Sequence, residues 1–369
     1  MSVRKRATKT GAVWLVDYRD GSGTRRARQF PTKGVAVTFA AKTKTELVAG
    51  VHTPDSASVT VKEAADLWLA RARREGLEAA TILNYQGFVT LHLLPVLGSV
   101  RLSRLTVATI TAARNKLLDS GRSTGVVQAA LTSLSGIIAN AQRAGLASFN
   151  SVPLVERVRH DRRGSNRPTM PSREELQAIL AAAKQPRARV LVLLAVFGGL
   201  RASEIRGLTW PNVDLKTGVI HVRQRADRYG QLGPPKSQAG VRDIPIGTKL
   251  LSVLRTWRLA CPSGPLDLVL PAADGGIETY NHLLRRVFWP LLAAAGVVSA
   301  DGAPKFGLHS LRHACASLWI AAGFSPKELQ VWMGHASVKM TFDRYGHLFA
   351  SDQDNAREAF DRLAVRLVD

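Results

Sequence analysis

Cysteine is nearly absent from this chain of 369 residues: only Cys261 and Cys315 occur. They lack the spacing of a metal site or a disulfide framework, so two reduced thiols in a cytosolic protein are expected. Acidic residues are also scarce. Against 51 Lys and Arg stand 28 Asp and Glu, a formal net charge of +23 and a pI near 10.9. No Asp/Glu cluster is visible that would hold paired Mg²⁺ ions, which disfavours metal-dependent nuclease or transposase chemistry. Long apolar runs are missing as well. The apolar segment 190–200 is too short to cross a bilayer and reads as a buried helix, and the basic N-terminal residues carry no apolar run of a signal peptide. No membrane partner and no cofactor are expected, and no internal repeat or low-complexity array is present.

The positive charge that is present is spread evenly. The excess of basic over acidic residues is +7 in residues 1–55, +8 in 56–170 and +8 in 171–369. A polyanion touched along the whole length of the chain is the partner this suggests, with an ordinary basic surface as the alternative on charge alone. At 46% hydrophobic residues the chain can form two or three domains with real cores.

Residues 1–55 read as a β-rich module. Trp14, Val16 and Tyr18 alternate as in a strand, Asp20 to Gly23 form a turn, Arg25 to Phe30 return, and a helix over 34–49 closes the unit at Gly50. Residues 56–155 turn wholly helical. Thr60 and Glu63 make a capping box, and helices are predicted up to Gly76 and over 79–94, 107–120 and 123–144, with breaks at Pro95, Gly98, Gly121 and Gly145. Residues 156–171 are polar, basic and proline-containing, as a linker is. A new capping signal at Ser172 and Glu175 opens a mixed α+β region over 172–369, with strands expected near 219–222 and 236–246. The fold class expected is multidomain, mainly α with small β-sheets.

The richest chemistry lies between His309 and Tyr345. Gly323 stops one helix, Ser325, Pro326 and Glu328 start the next, Gly334 ends it, and Ser337 caps another. His335 and Tyr345 are ten residues apart, a rise of about 15 Å along one straight helix, so they share a site only if the chain folds back. His309 and His313 are four apart, but the zinc-protease pattern requires Glu where Ser310 stands. Taken singly, a His near a helix end or a Tyr in an amphipathic helix is usually structural.

Together these residues form an ordered pattern: His-x-Leu-Arg-His at 309–313, Met-Gly-His at 333–335, and Tyr-Gly-His at 345–347. It resembles the catalytic domain of the tyrosine recombinases, the phage integrase family. Upstream, Gly199-Leu200-Arg201-Ala202-Ser203-Glu204 is similar to that family's first arginine box. Pro235-Lys236-Ser237, followed by Arg242 to Ile246, is similar to the hairpin carrying its lysine. The 1–55 module resembles the family's arm-type DNA-binding domain, a three-stranded sheet plus a helix, and 56–155 its core-binding domain.

The resemblance implies an active site made of Arg201, Lys236, His309, Arg312, His335 and Tyr345. Tyr345 would be the nucleophile on a DNA phosphate, forming a 3′-phosphotyrosyl link without ATP. Arg201 and Arg312 would hold the non-bridging oxygens, with His335 as a further donor. Lys236 would protonate the departing 5′ oxygen, and His309 would assist proton transfer at the tyrosine. Glu204 is a candidate partner for these arginines, with helix capping as the alternative; His313 matches a family position and is as readily structural.

The implied partners are double-stranded DNA attachment sites, further copies of the chain in a synaptic tetramer, and DNA-bending or directionality proteins. The alternatives kept open are a catalytically silent DNA-binding relative, a chromosome- or plasmid-resolving recombinase, and a type IB topoisomerase, whose domain order fits less well. Residues 355–368 carry an apolar stripe of Ala356, Phe360, Leu363, Ala364 and Leu367. Such a stripe must bury, either on its own domain or on a neighbouring subunit.

Overall fold

The computed structural model describes residues 1–8, 11–50, 52–55, 58–157 and 169–349. Most of the expected linker and the whole 355–368 stripe lie outside the described residues. The chain divides into two compact units, Met1–Arg163 and Gly164–Asp369.

The first unit begins with a three-stranded antiparallel sheet. Strand β2 (Gly11–Arg19) is central, flanked by β1 (Ser2–Thr8) and β3 (Arg25–Phe30). The register sets Val3 opposite Val16 and Trp14 opposite Phe30. The turn is organised by Asp20, whose carboxylate accepts the backbone N–H groups of Ser22 and Thr24 at 3.0 Å. Helix α1 (Lys33–Val48) starts on the Thr32 cap and lays Ala36 and Ala40 over Val16, Tyr18 and Phe30.

The rest of this unit is a helical bundle with its own core. Thr60 and Glu63 form the predicted capping box at the start of α2 (Val61–Arg74). Helix α3 (Ala79–Leu97) runs straight through the position where the sequence suggested a break at Pro95. Proline lacks the N–H for the i→i−4 ladder, and the helix accommodates this with one π-turn, Val89–Leu93, just ahead of it. By length and composition α3 could cross a membrane; here Val89, Leu93 and Leu97 are buried in the bundle. They pack with Ile110 of α4 (Val107–Asp119) and Leu134 and Ile137 of α5 (Thr124–Arg143).

The second unit opens with α6 (Arg173–Ala182), capped by Ser172 and Glu175. Helix α7 (Pro186–Val196) is buried continuously from Val190 to Val196, which explains why its sequence is apolar on all sides. After it come α8 (Ala202–Arg206) and five short strands: β4 (Val213–Asp214), β5 (Val219–Val222), β6 (Arg225–Ala226), β7 (Leu232–Gly233) and β8 (Arg242–Pro245). Strands β4, β5 and β8 form one antiparallel sheet, and β6 and β7 a separate pair.

The strand expected over 236–246 begins only at Arg242. Lys236 stands instead in a bend before a 3₁₀ turn, Gln238–Gly240. Pro234 and Pro235 supply no backbone donors for a ladder there. Helices α9 (Thr248–Ala260), α10 (280–294), α11 (Leu308–Ala321), α12 (Pro326–Met333) and α13 (Val338–Tyr345) complete the unit. Helix α10 repeats the device of α3, with a π-turn, Leu284–Phe288, just before Pro290.

Candidate active site

The site is built around one buried carboxylate. Glu204 is 3% exposed and sits in the first turn of α8, where it closes a capping box on the backbone N–H of Arg201 at 2.8 Å. Both readings of Glu204 therefore hold at once, because the same carboxylate also gathers guanidinium groups. Arg201 Nη1 donates to Oε1 at 2.7 Å, Arg242 donates to both oxygens at 2.9 and 2.8 Å, and Arg312 lies 3.9 Å from Oε2. Burial alone would raise the Glu204 pKa. The hydrogen bonds and charge of Arg242, followed by the charges of Arg312 and Arg201, outweigh it and lower the pKa to about 2.

Three guanidiniums against one carboxylate leave the cluster with two uncompensated positive charges. Arg242 and Arg312 are sealed inside, whereas the Arg201 side chain remains 35% exposed. Burial lowers the Arg312 pKa first, then the charges of Arg201 and Arg242 lower it further, to about 9, so it stays charged at neutral pH. Its side chain donates to the carbonyls of Gly199 and Met333, and Arg201 Nη2 reaches the carbonyls of Met333 at 3.2 Å and Gly334 at 2.8 Å.

The carbonyls of Met333 and Gly334 belong to the turn that ends α12. Gly334 has φ of +60°, and a Cβ there would lie 2.8 Å from the Ala239 carbonyl and 3.1 Å from Arg242, so only glycine fits on both counts. Arg242 also donates to the carbonyls of Trp332 at 2.6 Å and Gly240 at 3.0 Å. It thereby pins the loop that carries Lys236 to the turn that presents His335. Lys236 itself is exposed and makes no hydrogen bond or ion pair with the described residues.

His335 is buried, and its Nδ1 shares a hydrogen bond with the buried Thr341 hydroxyl at 2.9 Å. Burial, then the charges of Arg312, Arg201, Arg344 and Arg242, lower its pKa to about 3, so the imidazole is neutral. With Thr341 as donor, the ring keeps its proton on Nε2, free to donate to an anion. The chain does fold back between His335 and Tyr345: their rings stack at 6.3 Å between centroids, 12° from parallel.

Tyr345, at the end of α13, is 1% exposed. Burial raises its pKa, while the neighbouring charges of Arg312 and Arg344 lower it. Its hydroxyl is 2.6 Å from Nδ1 of His313 and makes no hydrogen bond with His309. His309 instead meets His313 edge to face at 4.6 Å, and no third metal-binding side chain joins them among the described residues. His309, Arg312 and His313 share one face of α11 because they are three and four residues apart.

The fold thus brings together Arg201, Arg312, His309, His335 and Tyr345, with Lys236 on an adjoining loop. Two residues gain a place that the sequence reading had not assigned. Arg242 lay within a recognised motif without a role, and His313 was left undecided.

Comparison with known proteins gives a consistent result. Residues 172–352 match the Phage integrase family and residues 60–118 the N-terminal SAM-like domain of phage integrases. The chain is similar to the prophage integrase IntR of Escherichia coli strain K12, with 23% identity over 78% of this chain and 76% of that one. It is similar also to the ICEBs1 integrase of Bacillus subtilis strain 168, with 26% identity over 76% and 77%. Among solved structures, the Tn1549 transposon integrase in complex with transposon right end DNA superposes with a TM-score of 0.68 at 20% identity, covering 83% of this chain and 100% of that one. A lambda integrase tetramer bound to a Holliday junction gives 0.60 at 21% identity, covering 90% and 95%.

Proposed function

The chain belongs to the phage integrase family, and on that footing we propose that it is a site-specific DNA recombinase that integrates or excises a mobile element. The observation that carries this reading is the Glu204 cluster. It holds more positive charge than its carboxylate neutralises, beside a tyrosine set between two histidines. A phosphodiester brings one negative charge, and its attack by an oxygen nucleophile adds more on the non-bridging oxygens. Fixed donors in a site shielded from water stabilise that added charge without having to reorganise.

In this reading the Tyr345 oxygen attacks phosphorus and the bond to the 5′ oxygen breaks. Arg201, Arg312 and neutral His335 donate to the non-bridging oxygens, and Lys236 gives the departing 5′ oxygen its proton. The 3′-phosphotyrosyl link keeps the bond energy, and a second 5′ hydroxyl reverses the step on a new partner. His309 stands beside the pair formed by His313 and Tyr345 and serves the proton movements there. No step requires a metal ion or a cofactor.

Beyond the chemistry lie the parts that hold the DNA. Residues 172–369 form the catalytic domain, 56–155 grip the core of the attachment site, 156–171 link the two, and the sheet module 1–55 reads accessory DNA. Two bound duplexes and four copies of the chain make the synaptic assembly, with DNA-bending or directionality proteins as accessory partners. The protein acts on DNA in the cytoplasm.

A nicked duplex spanning the joined ends of the element that encodes the chain tests this. The wild-type protein should be trapped on it as a covalent adduct in the presence of EDTA, and Tyr345→Phe should bind without forming the adduct. Adduct formation that EDTA abolishes would replace this reading with a metal-dependent one.

A further inference from the structure

We propose that His313, rather than His309, accepts the proton of the Tyr345 hydroxyl during strand cleavage. The inference rests on the recombinase reading above and adds to it the path of one proton.

Geometry carries it. Nδ1 of His313 and the Tyr345 oxygen are 2.6 Å apart, already at the separation of a short, well-formed hydrogen bond. No other described ring nitrogen competes for that hydroxyl. His335 lies near-parallel to the tyrosine ring at 6.3 Å between centroids, makes no hydrogen bond to the hydroxyl, and has its Nδ1 engaged by Thr341. His309 presents its ring to His313 and is the more exposed of the two.

The surroundings fit a base that waits neutral. His313 faces His309 and Arg312 on its own helix and Arg344 and Tyr345 on α13. Burial first, then His309, Arg344 and Arg312, lower its pKa to about 4, so the ring is neutral at pH 7, and with the Tyr345 hydroxyl as donor the lone pair is the one on Nδ1. A DNA phosphate entering the site brings negative charge to a neighbourhood that is net positive even with Glu204 counted, and an imidazolium becomes easier to form at the moment it is needed. The step balances without a co-reactant. The Tyr345 O–H bond breaks, its proton passes to Nδ1, and the phenolate pair forms the bond to phosphorus. The bond to the 5′ oxygen breaks, and that oxygen takes the proton of Lys236.

The test compares His313→Asn, His313→Ala and His309→Ala in the full chain, by single-turnover adduct formation on the nicked joined-end duplex. Asn can accept a hydrogen bond from Tyr345 but cannot take its proton, which separates holding the tyrosine from activating it. Both His313 variants should cleave at least ~10²-fold more slowly, the range for losing a general base, with DNA affinity within about 2-fold of wild type. Imidazole in the buffer should restore His313→Ala at least about 10-fold and leave His309→Ala unchanged, an outcome no purely structural role produces. The rate of the Asn variant should rise with pH more steeply than that of wild type, as solvent base takes over. Cleavage by His313→Asn within about 3-fold of wild type, or imidazole rescue confined to His309→Ala, overturns the proposal. An adduct that survives Tyr345→Phe defeats the nucleophile assignment itself, a failure distinguishable from that of His313.

Discussion

Among the described residues, two buried tyrosines each share a hydrogen bond with a histidine, one in the N-terminal sheet module and one at the end of α13. Tyr18 is 6% exposed and lies 2.9 Å from Nε2 of His52; Tyr345 is 1% exposed and lies 2.6 Å from Nδ1 of His313. Burial raises the pKa of both. The pairs differ in what surrounds them. The other nitrogen of His52 is held by Glu46 at 2.8 Å, and the charges felt by Tyr18 are mixed, with Arg26 and Arg28 set against Asp20 and Asp55. Among the described residues no carboxylate is seen to act on His313 or Tyr345, and the cations Arg312 and Arg344 act on both. A hydrogen bond between tyrosine and histidine therefore says little by itself; the sign of the field around it separates a packing tyrosine from one that can receive a phosphate.

Removing the two hydroxyls in turn separates the pairs most sharply. Tyr345→Phe should eliminate the covalent DNA adduct entirely, whereas Tyr18→Phe should leave its rate unchanged, both read from the nicked duplex. Next in size is the charge around Tyr345. Arg201→Ala or Arg312→Ala should slow single-turnover cleavage by ~10² to 10³-fold, the loss on deleting one charge-stabilising donor, with a much smaller change in DNA affinity. Equal losses in rate and affinity would make them binding residues only.

Much of this was legible in the sequence because it is local. The caps at Thr60, Ser172 and Ser325, the αL glycine at Gly334 and the arginine and histidine boxes are each contained within a few residues. What escaped requires distant segments to meet. Arg242 is 38 residues from Glu204 and 90 from Trp332, so these two attachments exist only in the folded chain. Nor could spacing decide between His309 and His313, which occupy one face of α11; the way α13 crosses that face puts His313 on the tyrosine. Pro95 misled because a single π-turn suffices to carry a helix into a proline.

Arg242 gives the next prediction. Arg242→Met leaves Glu204 buried with its bidentate partner gone, which should cost ~3 to 5 kcal/mol of stability, toward the lower end because Arg201 remains paired. Denaturant unfolding of the full chain measures it. A smaller effect concerns pH. The His335 pKa is lowered to about 3 in the folded protein, so its contribution to stability is complete above the unfolded value near 6.5 and is lost as pH falls below it. Between pH 6.5 and 4.5, above the ordinary carboxylate range, melting curves should show stability falling by up to about 1.4 kcal/mol per pH unit from this group, and His335→Asn should flatten that slope. Smallest is Tyr18→Phe, which removes one buried hydrogen bond and should cost ~1 kcal/mol.

Which oxygen joins the DNA can be read directly. The chain has five tyrosines, and mass spectrometry of the protease-digested adduct identifies the one that carries the nucleotide. The nucleotide should be found on the peptide containing Tyr345 and on no other. A nucleotide on the peptide of Tyr18, Tyr85, Tyr229 or Tyr280, or on a residue other than tyrosine, would contradict the account.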